Sequence, residues 1–452
     1  MAIFGTDGIR GKVGDCEYIQ PKFLVQLGWA IGQYINTLPS TQSKANSGIR
    51  PKVLVGKDTR ISGYMVESSL ESGLIAAGID IYLLGPMPTP AISYLTQTFQ
   101  ADLSIVISAS HNPFSDNGIK LINAKGGKLS REAESVIEQH IHKPLKTVDS
   151  YLLGKAHRLK GAPERYIEFC KSQYDKRVDL RLTKSVIDCA NGSSYHIAPN
   201  VFSELGMCCE TINNKPNGLN INLNCGSTSP QQCQAAVLNF QADIGICLDG
   251  DGDRLILVDH EGNVLTGDHI LYILAMYLKK TGRLKGGVVG SQMANLGLEN
   301  AFLKQGIPFK RVPVGDKHIL AALEATGWNL GGEPSGHIIC SDHQRSGDGI
   351  ITALLIIEAM NFFNQPLATL VKDLEFYPSQ LVNLPCNKRQ EPLFNQSLID
   401  TIENQYENNV RILIRYSGTE PLLRVLVEAE TDKLVNDVMR EVLSLVKESM
   451  PT

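Results

Sequence analysis

Short, wholly apolar runs alternate with longer segments of mixed polarity, and the alternation recurs three times along the chain. Val53-Leu54-Val55-Gly56 reads as a buried strand, followed by a helical stretch to Ala77, then Gly78 and a strand from Ile79 to Leu84. Val186 to Ala190 repeats the plan, with a helix to Leu205, Gly206 and a strand from Met207. Val288-Val289-Gly290 opens a third copy, with a helix to Gln305, Gly306 and a strand from Ile307. Glycine suits the position that ends a helix before a returning strand. Short apolar strands alternating with helices predict βαβ units with parallel strand pairs.

Each copy then runs through another strand into a polar loop. Leu103 to Ile107 leads into Ser108-Ala109-Ser110-His111-Asn112-Pro113. Asp243 to Leu248 leads into Asp249-Gly250-Asp251-Gly252-Asp253-Arg254. Trp328 to Leu330 leads into Gly331-Gly332-Glu333-Pro334-Ser335-Gly336-His337. Ligand sites of open α/β sheets lie beyond the carboxyl ends of strands, so three related units can aim three loops at one cleft. The last part differs. Strands Val410 to Arg415 and Leu422 to Val427 flank Tyr416 to Pro421, and a helix from about Asp432 carries Leu434, Val435, Val438, Val442, Leu445 and Val446 on one face. The expected fold is three related mixed α/β domains plus a smaller C-terminal α+β domain. Pro39 to Pro51 reads as a polar, flexible surface insertion in the first domain.

The loops carry the chemistry. Ser110, in an exposed loop, offers a hydroxyl that can carry a phosphoryl group. Asp249, Asp251 and Asp253 bring three carboxylates into a small volume. Two unit charges about 4 Å apart repel by about 4 kcal/mol at an effective dielectric of 20, so a cation is expected there. Oxygen ligands suit Mg²⁺ or Mn²⁺. A calcium EF-hand counted from Asp249 would need glycine and glutamate where the chain has Arg254 and His260. Lys120, in Asn117-Gly118-Ile119-Lys120, can balance phosphate charge, or move a proton if its pKa is lowered. Arg10, in Phe4 to Gly11, is a further phosphate partner. Glu333 and Ser335 suit sugar hydroxyls, and His337 suits charge or proton movement. Ser417, Gly418 and Thr419, with Arg415 and Arg424 nearby, form a loop able to hold a phosphate.

Composition narrows the class. A hydrophobic content of 43% and a net charge of −4 describe a soluble globular chain and disfavour a general nucleic-acid binder. The 452 residues predict three or four domains. Ten cysteines without a C-x-x-C pair read as buried free thiols in a reducing, cytoplasmic setting. Ile350 to Phe363 contains Glu358 and is too short to span a bilayer, and the N-terminus shows no apolar signal region, so no membrane partner is expected. No G-x-x-x-x-G-K-[ST], G-x-G-x-x-G or G-x-S-x-G motif is present, which disfavours an NTPase, a dinucleotide enzyme and a serine hydrolase.

The ordered motifs GTDGIRG, SASHNP, DGDGDR, GGEPSGH and R-x-SGTEP span residues 5 to 421, and this series resembles the α-D-phosphohexomutases. Within them the chain is most similar to the bacterial branch that interconverts glucosamine 6-phosphate and glucosamine 1-phosphate. The resemblance implies an isomerase with four domains around a central cleft, here bounded at 1–155, 156–258, 259–370 and 371–452. It implies a phosphoserine at Ser110 and Mg²⁺ held by Asp249, Asp251, Asp253 and the phosphorylated Ser110. Lys120 would be the general acid/base, Arg10 and Arg254 partners of the reacting phosphate, and His337 a residue of the catalytic cleft. Glu333 and Ser335 would contact the sugar, and Arg415, Ser417, Gly418, Thr419 and Arg424 the distal phosphate. A hexosamine phosphate substrate, a glucosamine 1,6-bisphosphate intermediate, and supply to UDP-N-acetylglucosamine synthesis follow from the same likeness; a homodimer is left open. Lys317, His318 and Pro334 depart from that branch's usual Arg, Tyr and Gln, and they bear on sugar selectivity. A phosphomannomutase/phosphoglucomutase, or a sugar-phosphate binder without catalysis, are the alternatives.

Overall fold

The computed structural model describes residues 3–449 apart from 6, 47, 182, 387–395, 407–408 and 417–421. Four sheets succeed one another along the chain. In the first, strands Lys52–Lys57, Asp80–Pro86 and Leu103–Ile107 are parallel, and Asp116–Asn123 returns antiparallel to Leu103–Ile107. The second repeats this order with Lys184–Asp188, Cys208–Ile212, Ile244–Leu248 and the antiparallel Leu255–Asp259. The third repeats it again with Val288–Ser291, Phe309–Val312, Leu330–Gly332 and the antiparallel Ile338–Cys340. The fourth is antiparallel, in the order Ser379–Pro385, Leu422–Ala429, Val410–Tyr416.

The three expected copies are therefore real, and each functional loop occupies the same place. It joins the third parallel strand to the antiparallel fourth. Gly78, Gly206 and Gly306 take φ of +84°, +89° and +63°, the left-handed residue expected between helix and strand in each copy. Ile9–Lys12 adds an edge strand against Asp116–Asn123. Ala156–Arg158 and Val264–Leu265 extend the first and second sheets slightly beyond residues 155 and 258.

One apolar core runs through the first three units. The helix Gly349–Phe363 is buried on nearly every side, as a helix apolar all round must be. Its one acid, Glu358, is satisfied by Asp175 N–H at 2.7 Å and the Tyr277 hydroxyl at 3.0 Å. Among the described residues no helix is long and apolar enough to cross a membrane. The C-terminal helix Asp432–Ser449 buries Val435, Val438, Val442 and Val446 against its own sheet, together with Met439, which the sequence pattern passed over.

Two local expectations differ. Pro39–Asn46 is a helix rather than a flexible loop. Proline pre-sets the first helical position, and the Thr41 hydroxyl donates back to Ile35 O at 2.5 Å, tying this polar helix to the preceding one. The third strand of the third unit begins at Leu330, not Trp328, so Gly331 and Gly332 belong to the strand and only Glu333 to His337 form the turn.

Candidate active site

Ser110 lies beyond the end of Leu103–Ile107 and, contrary to the exposed loop expected, is only 1% exposed. Its backbone is left-handed, with φ +52°. The hydroxyl donates to Asp249 Oδ2 at 2.6 Å, and the backbone N–H donates to Ser108 Oγ at 2.9 Å. The serine and aspartate loops, 139 positions apart, thus meet directly.

Lys120 reaches the same point because Asp116–Asn123 folds back on Leu103–Ile107, pairing Lys120 with Val106. Its ammonium is 2.8 Å from Asp251 Oδ2, 3.5 Å from Asp253 Oδ2 and 3.5 Å from Asp7 Oδ2. Burial opposes its charge, but Asp251, Asp7 and Asp253 outweigh burial and hold its pKa well above the usual lysine value.

The three aspartates are buried, with carboxylate oxygens within 4.8 Å of one another. Burial, then Asp251 and Asp253, push Asp249 well above the carboxylate range. Burial also opposes ionisation of the other two. Lys120 and Thr89 nevertheless hold Asp251 low, and Lys120, His337 and Arg254 hold Asp253 well below its usual value. Asp251 Oδ1 and Asp253 Oδ1 are enclosed without a hydrogen-bond partner. Hard oxygen donors, excess negative charge and two unsatisfied buried oxygens fit a divalent cation such as Mg²⁺.

His337 closes the site from the third unit. Nδ1 is 3.7 Å from Asp253 Oδ2 and Nε2 is 3.8 Å from Asp316 Oδ2, while Gly347 N–H donates to Nε2 at 3.3 Å. Burial lowers its pKa, but Asp253, Asp316 and Glu333 more than reverse this and raise it. Glu333 Oε1 accepts Gly315 N–H at 3.0 Å, and Ser335 Oγ is enclosed without a partner in the same turn. Arg254 lies 3.9 Å from Asp253, and Arg10 pairs with Asp7 while donating to Ala109 O at 3.4 Å.

A cavity of about 450 Å³ opens between the first and third units, lined by Asp7, Lys120, Lys128, Asp253, Asp316 and His337 among others. Lys128 crosses it, pairing with Asp7 on its own unit and with Asp316 Oδ1 at 2.6 Å on the third. Lys317 is exposed on the cavity wall, His318 is half-buried, and Pro334 accepts Gly267 N–H at 3.0 Å. Arg415 and Arg424 sit directly opposite on neighbouring strands. Burial and then Arg424 lower the Arg415 pKa. Ser417, Gly418 and Thr419 lie outside the described residues.

Sequence reasoning missed three contributors. His111 approaches Ser110 Oγ at 3.5 Å, with its pKa pushed down to about 4 by burial, Arg254 and Arg10. Asp7 ties Arg10, Lys120 and Lys128 together, although only its neighbour Arg10 was singled out from the opening motif. The Asp58-Thr59-Arg60 turn carries the serine loop. Its signal, charged residues immediately after an all-apolar strand, was legible but lacked an evident partner.

The chain matches the phosphoglucomutase/phosphomannomutase alpha/beta/alpha domain I over residues 1–147, domain II over 164–262, domain III over 266–377 and the C-terminal domain over 381–445. Phosphoglucosamine mutase of Psychromonas ingrahamii is 50% identical over 448 residues, 98% of this chain and 99% of that protein. A phosphoglucomutase/phosphomannomutase family protein from Burkholderia thailandensis has the same fold at a TM-score of 0.80 and 24% identity, over 100% of this chain and 98% of that one. Aspergillus fumigatus N-acetylphosphoglucosamine mutase, solved in complex with GlcNAc-6P and magnesium, follows at a TM-score of 0.68 and 19% identity, over 99% and 96% of the two chains. The four matched domains span most of the chain in family order, and the loops they contribute converge on one buried centre: this chain belongs to the phosphoglucomutase/phosphomannomutase family of α-D-phosphohexomutases.

Proposed function

We propose that the chain is an isomerase that interconverts glucosamine 6-phosphate and glucosamine 1-phosphate through a phosphorylated Ser110 and a glucosamine 1,6-bisphosphate. The observation that carries this reading is the Ser110 hydroxyl 2.6 Å from Asp249, inside a carboxylate set faced by Lys120. The full-length likeness to phosphoglucosamine mutase supports the choice of sugar. In this reading residues 1–155 carry the phosphoserine, 156–258 the metal ligands, 259–370 the sugar contacts and 371–452 the distal phosphate site.

Phosphoserine 110 gives its phosphoryl group to the free sugar oxygen. The bisphosphate turns over in the cleft, and its other phosphate restores the phosphoserine. Asp249, Asp251 and Asp253 with the phosphorylated Ser110 would hold Mg²⁺, which supplies charge neutralisation at the transferring group. Lys120 steadies the equatorial oxygens; as the Oγ–P bond breaks it gives a proton to the departing Ser110 oxygen, and it takes in return the proton released by the attacking sugar hydroxyl, so that the step balances. Arg10 and Arg254 add positive charge beside the reacting phosphate. His337 lies between Asp253 and Asp316, where it can orient a sugar hydroxyl. Glu333 and Ser335 are proposed sugar contacts. Arg415 and Arg424, with Ser417, Gly418 and Thr419, are proposed to hold the phosphate that is not reacting. Positioning and fixed charge provide most of the acceleration in such transfers.

The test supplies phosphorylated protein with glucosamine, glucose and mannose 6-phosphates in parallel. Conversion of glucosamine 6-phosphate to its 1-isomer at the highest kcat/KM, with no release of inorganic phosphate, is expected. Preference for glucose or mannose phosphate would move the assignment to a phosphoglucomutase or phosphomannomutase, a reading kept open by Lys317, His318 and Pro334. Binding without interconversion would reduce it to a sugar-phosphate binder.

A further inference from the structure

Arg60 is wholly enclosed, at 0% exposure, and does not line the active-site cavity. Its guanidinium works on one loop. Nη2 donates to Ser110 O at 2.9 Å and Asn112 O at 2.8 Å, and Nη1 to Asp116 O at 3.1 Å and to Pro113 O. Nε donates to Asp58 Oδ2 at 2.8 Å, which balances the buried charge. Asp58 Oδ2 also accepts the Ser108 hydroxyl at 2.6 Å, and Ser108 Oγ in turn accepts Ser110 N–H. Both polar backbone atoms of Ser110 are thereby traced to the Asp58–Arg60 turn.

A second hand comes from the metal-loop unit. Asn222 Nδ2 donates to the same two carbonyls, Ser110 O at 2.9 Å and Asn112 O at 3.1 Å. Asn222 is itself left-handed, at φ +57°, and its N–H is fixed on Ala190 O at 2.9 Å. The turn also docks across the unit boundary, with the Thr59 hydroxyl on Asn191 O at 2.5 Å and Ile61 N–H on Gly218 O at 2.9 Å. Ser110, Ala190, Asn191 and Asn222 all have positive φ, a concentration of unfavourable backbone that persists only where surroundings over-determine it. A Cβ at Gly250 would meet Ser110 O at 2.6 Å, so the serine and aspartate loops touch through their backbones.

We propose that Arg60 and Asn222 are positioning residues that grip the Ser110 carbonyl from two domains, hold the serine left-handed, and so set the place of its Oγ against the aspartates. The proposal rests on Ser110 being the phosphoryl carrier. Release of the carbonyl lets φ relax toward its common negative range and carries Oγ away from the aspartates. A misplacement of about 1 Å at a reacting atom can cost about a hundredfold in rate.

The discriminating variant is Asn222→Gly, because glycine accepts the left-handed backbone and only the amide grip is removed. Arg60→Lys tests the other hand, since an ammonium cannot span the carbonyls of residues 110 to 116. Each protein is phosphorylated on Ser110. Single-turnover transfer is followed against concentration for the hexose 6-phosphate that wild type uses best, with a ³¹P NMR spectrum of the phosphoserine and a melting curve. For Asn222→Gly the expected result is a transfer rate constant at least tenfold lower, half-saturation within about twofold of wild type, a melting midpoint lowered by no more than a few degrees and a shifted ³¹P resonance. Arg60→Lys should show the same kinetic split with a larger rate loss. A wild-type rate and resonance in Asn222→Gly overturns the proposal, as does a loss that tracks weaker saturation or a protein already unfolding at the assay temperature. Absence of transfer from the wild-type phosphoprotein to every hexose phosphate overturns the functional reading itself, and the positioning role with it.

Discussion

The centre around Ser110 and the paired arginines of the C-terminal sheet each gather like charges, but of opposite sign and on different scaffolds. At the centre, loops from three units converge, and the carboxylates are met from within the chain by Lys120, Arg254 and His337. At the sheet, Arg415 and Arg424 face each other across adjacent strands, an arrangement that is destabilising for like charges. Arg415 shows the consequence, its pKa lowered by burial and by Arg424. The centre is a carboxylate cluster whose donors suit a cation; the arginine pair is cationic and suits an anion. Under the proposed function, their separation on different units would let one grip a ligand phosphate while the other exchanges one.

The largest effect is expected from Ser110→Ala. Multiple-turnover isomerisation should fall to background, because the proposed phosphoryl carrier is gone. Serine already carries a Cβ in the left-handed backbone, so alanine adds no backbone strain and costs only the hydroxyl's hydrogen bond to Asp249, about 1 kcal/mol. Ser110→Gly should be equally inactive and should offset that loss by relieving the strain. Near-normal turnover by either variant, with identity checked by intact mass, would remove Ser110 from the mechanism.

The contrast also explains what was legible in the sequence. The three α/β copies and the serine and aspartate loops stood out because apolar strands and their loops are local patterns. Lys120 was marked by the family resemblance; the antiparallel return that pairs it with Val106 and carries it to the centre is seen only in the fold. The enclosure of Ser110 was not legible, since it depends on Arg60 and Asn222 arriving from 50 and 112 positions away. Lys120's raised pKa depends on Asp251, which is 131 positions away, and on Asp7. The Lys128 bridge to Asp316 spans 188 positions and has no local signature. For Pro39–Asn46, polar composition argued for a loop, and a single buried threonine with a proline start decided for a helix.

Asp251→Asn should come next. It weakens the partner of Lys120 and removes a charge from the carboxylate set, so Mg²⁺ dependence and transfer should fail together. The loss should exceed the roughly 10–100-fold typical of removing a partner of a metal ligand. A Mg²⁺ titration with unchanged midpoint and unchanged rate would exclude Asp251 from the set.

Arg424→Ala tests the other region. A charge-assisted hydrogen bond to phosphate contributes about 1.5–3 kcal/mol, so substrate use should fall roughly 10–100-fold. Metal affinity and the phosphate already on Ser110 should be retained. Loss of metal binding with a normal substrate dependence would show that the two regions do not divide the work in this way.

The smallest effect concerns the joint between the two regions. Asp268, near the start of helix Gly267–Lys280, is 3% exposed; Oδ2 accepts Asn295 N–H at 2.8 Å, and Oδ1 is enclosed without a partner. Asn295 also holds Tyr377 O at 3.0 Å, and Arg411 of the C-terminal sheet pairs with Glu428 at 2.5 Å and donates to Ala294 O at 3.2 Å. Burial pushes the Asp268 carboxyl up to about 7 and Glu428 adds to the shift, against Asn295 N–H, Arg311 and Arg411. A carboxyl with a raised folded pKa keeps its proton longer in the native protein than in the unfolded chain. Its contribution to stability is therefore complete below about pH 4 and is lost as pH rises through about 7. Asp268→Asn has no proton to lose, so its melting midpoint should gain on wild type between pH 5 and pH 8. The gain should be about 1 °C for each kcal/mol recovered in a chain of this length. Activity at neutral pH should change little, because Asp268 contacts neither the aspartate set nor the paired arginines. A midpoint difference that stays flat across that pH range would mean the carboxyl is already ionised at the joint, held by Arg311 and Arg411 rather than protonated by burial.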